Sequence, residues 1–201
     1  YKHILGFEDN IFKITPMAID INDTRGTHAA QLVREALRLM HKPIAAAEVL
    51  ILGASYREDV GDTRYSGSEI VVRKLTEMGA EIRVHDPYVD HWWELENQDA
   101  YPGHGHSKKA FFRNQEKLKE IRVQKDMNKS LANADAVVFA VRHEPYLELD
   151  PKKVVKAIGK PAAIIDAFGI LSDEKIKEYL ELGCAVKAMG RGHIPRLRDK
   201  K

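Results

Sequence analysis

The chain has 201 residues, a formal net charge of +2 and 31% charged side chains, a balance that argues against nucleic acid or an anionic membrane surface as partner. Its one cysteine, Cys184, excludes an internal disulfide and fits a reducing compartment. No apolar run approaches membrane-spanning length and no signal peptide opens the sequence, so composition predicts a soluble, globular, cytoplasmic protein.

Residues 1–16 read as irregular, and Pro16 marks a helix start. From Met17 the pattern is helical. Ala29, Leu32, Val33, Ala36, Leu37 and Met40 recur at three- and four-residue spacing, and Lys42-Pro43 ends the run near His41. Gly26 costs such a helix about 1 kcal/mol relative to alanine, so a bend or close packing is expected there. The apolar stripe needs a cover, either a missing N-terminal part or a second copy of the chain, and a homodimer through helix 17–41 is predicted.

From Val49 the chain alternates strands and helices. Val49–Leu52 is a short aliphatic strand, and a helix carrying Ile70, Val71, Leu75 and Met78 follows and stops at Gly79. Glu81–His85 is the second strand, closed by Asp86-Pro87. Residues 90–120 interrupt the alternation and read as an insertion with one short helix near Lys108–Leu118. A short strand is expected at Ile121–Val123, a helix at Met127–Asn133, a buried strand at Asp135–Val141 and a proline-started helix at Pro151–Ile158. Ala162–Asp166, Ser172–Leu182 (with Ser172 as N-cap) and Ala185–Met189 complete the series, before a basic tail, 191–201, that reads as loose. Strands joined through crossover helices predict an α/β fold, a doubly wound, mainly parallel, Rossmann-like sheet preceded by a long dimerisation helix.

The chemistry concentrates in Val49–Arg64, VLILGASYREDVGDTR. Strand, polar loop and helix is how an open α/β sheet presents a site, because ligands sit outside the carboxyl ends of its strands. Arg57 and Arg64, ahead of a helix that starts at Ser66-Gly67-Ser68-Glu69, suit a phosphate. The same residues also suit an ordinary loop whose arginines pair with Glu58, Asp59 and Asp62. The dinucleotide fingerprint GxGxxG is absent, so Asp86 reads as turn chemistry more readily than as a ribose-binding acid. His91, His104 and His106 lack further ligands at zinc spacing, so no metal site is expected, and Trp92-Trp93, beside Tyr88, suits either an aromatic plug, the commoner use, or a stack on a base. Cys184 has no histidine or lysine base at motif spacing and reads as a small buried residue. Arg191, Arg196 and Arg198 are read as a solvated tail before they are read as a phosphate clamp.

LGASYREDVGDTRYSGS resembles the segment LG-x-x-[FY]-[KR]-x-D-x-x-D-x-R-x-S that opens the C-terminal domain of the UDP-glucose/GDP-mannose dehydrogenase family. AIDINDTR before it, and VHDPYV and LANADAVVFAVRHEPYLELD after it, agree in the same order. The resemblance implies a nucleotide-sugar 6-dehydrogenase of polysaccharide biosynthesis. Such an enzyme oxidises the C6 hydroxymethyl of a UDP-hexose to a carboxylate with NAD and a cysteine that lies N-terminal to the long helix. It implies domains at 1–47 (the end of the central dimerisation region), 48–190 (the UDP-sugar-binding domain) and 191–201 (tail). Tyr56, Arg57 and Arg64 then fall on substrate-binding positions, and Asn22 and Asp23 on an Asn-Asp pair of the central helix, with structural or dimer roles. NAD is expected in a domain missing from this sequence, which begins at Tyr1 rather than Met. No catalytic residue and no cofactor are expected in this chain, which alone is predicted inactive. Two departures stand out: Arg57 replaces a common lysine, and Phe168 and Gly169 stand where many members have an arginine. The competing expectation is a stand-alone, non-catalytic nucleotide-binding or regulatory module.

Overall fold

A computed structural model describes residues 14–96 and 116–198. The chain opens with α1 (Ile14–Leu39) and then alternates β1 (Glu48–Leu52), α2 (Gly67–Glu77) and β2 (Glu81–His85). A single turn α3 (Trp93–Glu96), a 3-10 turn (Glu116–Glu120) and β3 (Val123–Gln124) follow. The rest runs α4 (Met127–Leu131), β4 (Ala136–Phe139), α5 (Glu144–Leu147), α6 (Pro151–Ile158), β5 (Ala163–Asp166), α7 (Asp173–Glu181), β6 (Ala185–Ala188) and α8 (Ile194–Arg198). The six strands form one sheet in the order β3-β2-β1-β4-β5-β6, every pair parallel. The order reverses between β1 and β4, which is where an open α/β sheet leaves a crevice at its carboxyl edge.

The strand sequences explain the two-sided burial. Val49, Ile51, Ala136, Val138, Ala163 and Ile165 face one core, shared with α1 and α2. Leu50, Leu52, Val137, Phe139 and Ile164 face the other, under α4, α6, α7 and α8. Period-two alternation within unbroken aliphatic runs is what a sheet covered on both faces requires. Capping is regular: Ser66, Asp126, Asp150 and Ser172 each accept a backbone N–H from the first turn of the helix they precede.

Three expectations are corrected. The stripe Ala29, Leu32, Val33, Ala36 and Leu37, offered above as a dimer face, is buried within the chain against the sheet and α2. The cover it needed is β4, β5 and β6 of its own chain. What α1 leaves exposed lies toward its start: Ile14, Met17 and Ile21 are 80%, 59% and 60% exposed. The tail is not loose as far as Arg198, because α8 carries Ile194 into the second core, and Arg191 and His193 both pair with Asp173. The helix also begins before Pro16, which sits in its first turn, where the missing N–H is no loss. The helix expected within the insertion lies largely outside the described residues. Trp92 is buried, in keeping with a plug, whereas Trp93 is exposed.

Gly26 resolves as close packing. A Cβ there would stand 2.7 Å from Ile70 Cβ and 3.1 Å from the Gly67 carbonyl, so α1 crosses α2 at a distance only glycine allows. Helix propensity alone makes Gly26→Ala stabilising by about 1 kcal/mol. The crossing predicts the opposite sign, a loss of about 1–3 kcal/mol from overpacking. Urea denaturation of the two proteins decides between them.

Candidate functional site

The loop after β1 sits at the switch point. Gly53 turns the chain with φ +105°, and a Cβ there would stand 2.5 Å from Val141 Cβ, so the β1 and β4 ends close on each other only around a glycine. The loop then returns on itself: Tyr56 N–H donates to the Asp62 carbonyl at 2.9 Å, and Ser66 Oγ donates to the Ser55 carbonyl at 3.0 Å.

Asp86, at the end of β2, holds this arrangement. Its Oδ2 accepts from Ala54 N–H at 2.7 Å, Ser55 N–H at 3.3 Å and His143 Nε2 at 3.1 Å. Its Oδ1 accepts from the N–H groups of Tyr88 at 2.8 Å and Val89 at 3.0 Å. Asp86 and His143 are both 0% exposed. Asp59 N–H, which can only donate, meets His143 Nδ1 at 2.9 Å, so Nε2 carries the proton given to Asp86. Ser55 Oγ lies 3.1 Å from the same Nε2 and donates to the Arg57 carbonyl at 2.8 Å. Serine, histidine and aspartate thus meet, but on one ring nitrogen and without access to solvent. A nucleophilic triad needs the carboxylate on the other nitrogen and an open hydroxyl. This cluster fixes a loop. Asp86 turned inward also has no oxygen left for a ribose, which agrees with its reading as turn chemistry.

The sequence-selected side chains divide. Tyr56 is about half exposed and lines a crevice of about 180 Å³ at the carboxyl ends of β1, β4 and β5. Arg57 is exposed, with its guanidinium carbon 5.8 Å from the Tyr56 ring centroid. Arg64 is bound to Asp62 through both carboxylate oxygens, and this pairing holds the Asp62 carboxyl down at about 2. Asn22 lines the same crevice from α1. Asp23 lies in α1, its side chain outside the described residues. Phe168 borders the crevice, while Asp166 collects the N–H groups of Phe168, Gly169, Ile170 and Leu171 behind it. Arg25 and Ser68 line the crevice as well; sequence reasoning named Ser68 only as part of a helix start and missed Arg25. Arg25 followed the helical pattern as one more polar-face residue, and only the crossing of α1 over α2 marks it out.

Elsewhere the candidates recede. Cys184 is buried, and burial pushes its thiol pKa up, away from a reactive thiolate. A groove of about 600 Å³ along the edge of β6 is larger than the crevice. Its cations are committed, Arg191 to Asp173 and Lys187 to Glu35, and it does not adjoin the β1 loop. Among the described residues no three His, Cys, Asp or Glu side chains gather to hold a metal, and His104 and His106 lie outside them. No described helix is long and apolar enough to cross a membrane.

Burial alone would raise the Asp86 carboxyl, but hydrogen bonds from His143 and from the N–H groups of Ala54 and Tyr88 outweigh it and hold it below the usual range. A depressed folded value adds stability that is complete above the ordinary carboxylate pKa of about 4 and fades as pH falls through the folded value. Asp86→Asn turns an acceptor into a donor facing N–H groups, and a loss of about 3 kcal/mol or more is expected at pH 7. Melts between pH 7 and pH 3 should show a shallower acid loss in the variant. Equal slopes would contradict the role given to Asp86.

The UDP binding domain of the UDP-glucose/GDP-mannose dehydrogenase family matches residues 50–173. UDP-glucose 6-dehydrogenase of Bos taurus is 25% identical over 173 residues, 86% of this chain and 33% of that protein. UDP-glucose 6-dehydrogenase 4 of Arabidopsis thaliana is 26% identical over 189 residues, 90% of this chain and 37% of that protein. The crystal structure of an NDP-N-acetyl-D-galactosaminuronic acid dehydrogenase from Methanosarcina mazei Go1 superposes with a TM-score of 0.72 at 26% identity, covering 94% of this chain and 34% of that one. A UDP-D-ManNAc dehydrogenase from Pyrococcus horikoshii shares the fold, with a TM-score of 0.69 at 23% identity over 94% of this chain and 36% of that one. The chain spans about a third of the length of these relatives. It belongs to the UDP-glucose/GDP-mannose dehydrogenase family and carries that family's UDP binding domain.

Proposed function

We propose that this chain is the nucleotide-sugar-binding portion of an NAD-dependent UDP-sugar 6-dehydrogenase of polysaccharide biosynthesis in the cytoplasm. In this reading residues 48–190 receive the UDP part of the substrate and residues 1–47 carry the end of the central helical region. NAD and the catalytic cysteine belong to parts of the enzyme outside this sequence, so the chain alone does not turn over substrate.

The observation that carries the reading is the loop Ser55–Arg64 at the β1–β4 switch point, in a chain of this family. Tyr56 and Arg57 stand exposed beside one another there, on a backbone that the Asp86–His143 cluster holds in one shape. An aromatic face with a guanidinium next to it suits a base or sugar joined to a phosphate. Arg64 is the weaker candidate, since a phosphate must compete with Asp62 for it. Arg64 acts first as the brace of the loop.

Titration calorimetry with UDP and with uridine tests the reading. UDP is expected to bind far more tightly than uridine, and Arg57→Ala is expected to remove about 1.5–3 kcal/mol of UDP affinity. Equal affinities for the two ligands in the unaltered chain would overturn it.

A homodimer remains part of the proposal, through a different surface from the stripe first expected. Ile14, Met17 and Ile21 recur at three- and four-residue spacing on the exposed start of α1, as a helix–helix seam requires. Sedimentation at micromolar concentration is expected to show a dimer that Met17→Asp weakens, and a monomer in the unaltered chain would contradict this.

A further inference from the structure

The crevice beside the β1 loop contains polar groups that the loop itself does not use. Ser68, in the first turn of α2, is only 3% exposed and lines the crevice, yet its Oγ has no hydrogen-bond partner. Buried hydroxyls in folded proteins are almost always paired, so one left unpaired in a residue that lines a cavity points to something bound there. Gly67 lines the same wall, and a Cβ built on it meets nothing within 4 Å, which leaves the start of α2 open to a ligand. The first N–H groups of an 11-residue helix give that wall a partial positive charge.

Arg25 stands on the opposite wall, on α1. Its Nη1 reaches Asn22 Oδ1 at 3.4 Å, longer than an ordinary N–H···O bond, and among the described residues no carboxylate pairs with it. Two other arginines differ in this respect. Arg64 is bidentate on Asp62, and Arg73 is buried against Glu69. The carboxylate in the first turn of α2, that of Glu69, is tied to Arg73 rather than left to repel an anion.

Size narrows the ligand. Pockets for whole small molecules hold about 300–1,000 Å³, and this crevice holds about 180 Å³. It has room for one group of a larger ligand.

We propose that the crevice between α1 and α2 binds a single phosphate group, with Arg25 as its charged donor, Ser68 Oγ as a hydroxyl donor and the positive end of α2 behind it. The proposal rests on the nucleotide-sugar reading and names the residues that hold the phosphate. It also gives the Gly26 crossing a second consequence. Arg25 rides on α1 and Ser68 on α2, so their separation is set by that contact, and a bound phosphate bridges the two helices.

Calorimetric titration of the whole chain with UDP, uridine and inorganic pyrophosphate tests this, using Arg25→Gln, Arg25→Lys, Ser68→Ala and Arg57→Ala. UDP and pyrophosphate should each lose about tenfold or more in affinity in Arg25→Gln, and less in Ser68→Ala. Arg25→Lys, which keeps the charge but not the fork, should recover part of the loss. Melting temperatures of the Arg25 variants should match the parent, because that side chain is exposed. Full affinity for both ligands in Arg25→Gln and Ser68→Ala, with a loss in Arg57→Ala, overturns the crevice and leaves the nucleotide-sugar reading standing. Equal binding of UDP and uridine by the parent overturns that reading instead. In that event pyrophosphate decides for the crevice if Arg25→Gln abolishes its binding, and against it if the parent does not bind pyrophosphate.

Discussion

The carboxylate of Asp86 is the constraint on which the carboxyl edge of the sheet depends. It lies at 0% exposure and ties together the loop after β1, the turn after β2 and, through His143, the segment after β4. A charge so deeply buried is tolerated only when every lone pair is occupied, and here both oxygens are. The same position in a dinucleotide-binding sheet holds an acid that points outward to a ribose. Turned inward, it trades that contact for a rigid loop. The missing GxGxxG and the inward aspartate are two signs of one change: this edge is shaped around its own backbone and leaves the side chains of Tyr56 and Arg57 exposed.

A second constraint is the approach of α1 to α2 at Gly26. That contact brings the polar side of a helix from before the sheet against the opening of the helix after β1. The crevice is therefore composite, with a floor of strand ends, a wall from α2 and a wall from α1. Its small volume agrees with an edge that contributes part of a ligand site. The chain spans about a third of the length of the relatives it matches.

Much of the fold was legible in the sequence because buried strands and capped helices leave local signals. The run AVVF, the proline at the start of Pro151–Ile158 and the Ser172 cap each have one physical reading. Partners were not legible. The stripe on α1 announced that a cover was needed without saying whose, and its own sheet supplied it. The turn Glu144–Leu147 is too short for a periodic signal, and α8 is anchored by one apolar residue, Ile194, in a basic segment. Of the site, the loop and Tyr56 could be read from order and chemistry. The helix start with Ser68 was read as suited to phosphate, but Arg25 was not, since nothing near it in sequence shows that α1 and α2 meet there. Arg64 shows the opposite limit: an arginine with the right neighbours for phosphate also had the right neighbour for a salt bridge, Asp62.

The most direct test of this account is a parallel thermal-shift titration of the chain with UDP-sugar and with NAD. An edge whose acid is turned inward, with a guanidinium and an aromatic side chain outward, should be stabilised by UDP-sugar, by about 2.7 kcal/mol at a hundred times its Kd. NAD should leave the melting temperature where it was. Stabilisation by NAD with none by UDP-sugar would contradict the account.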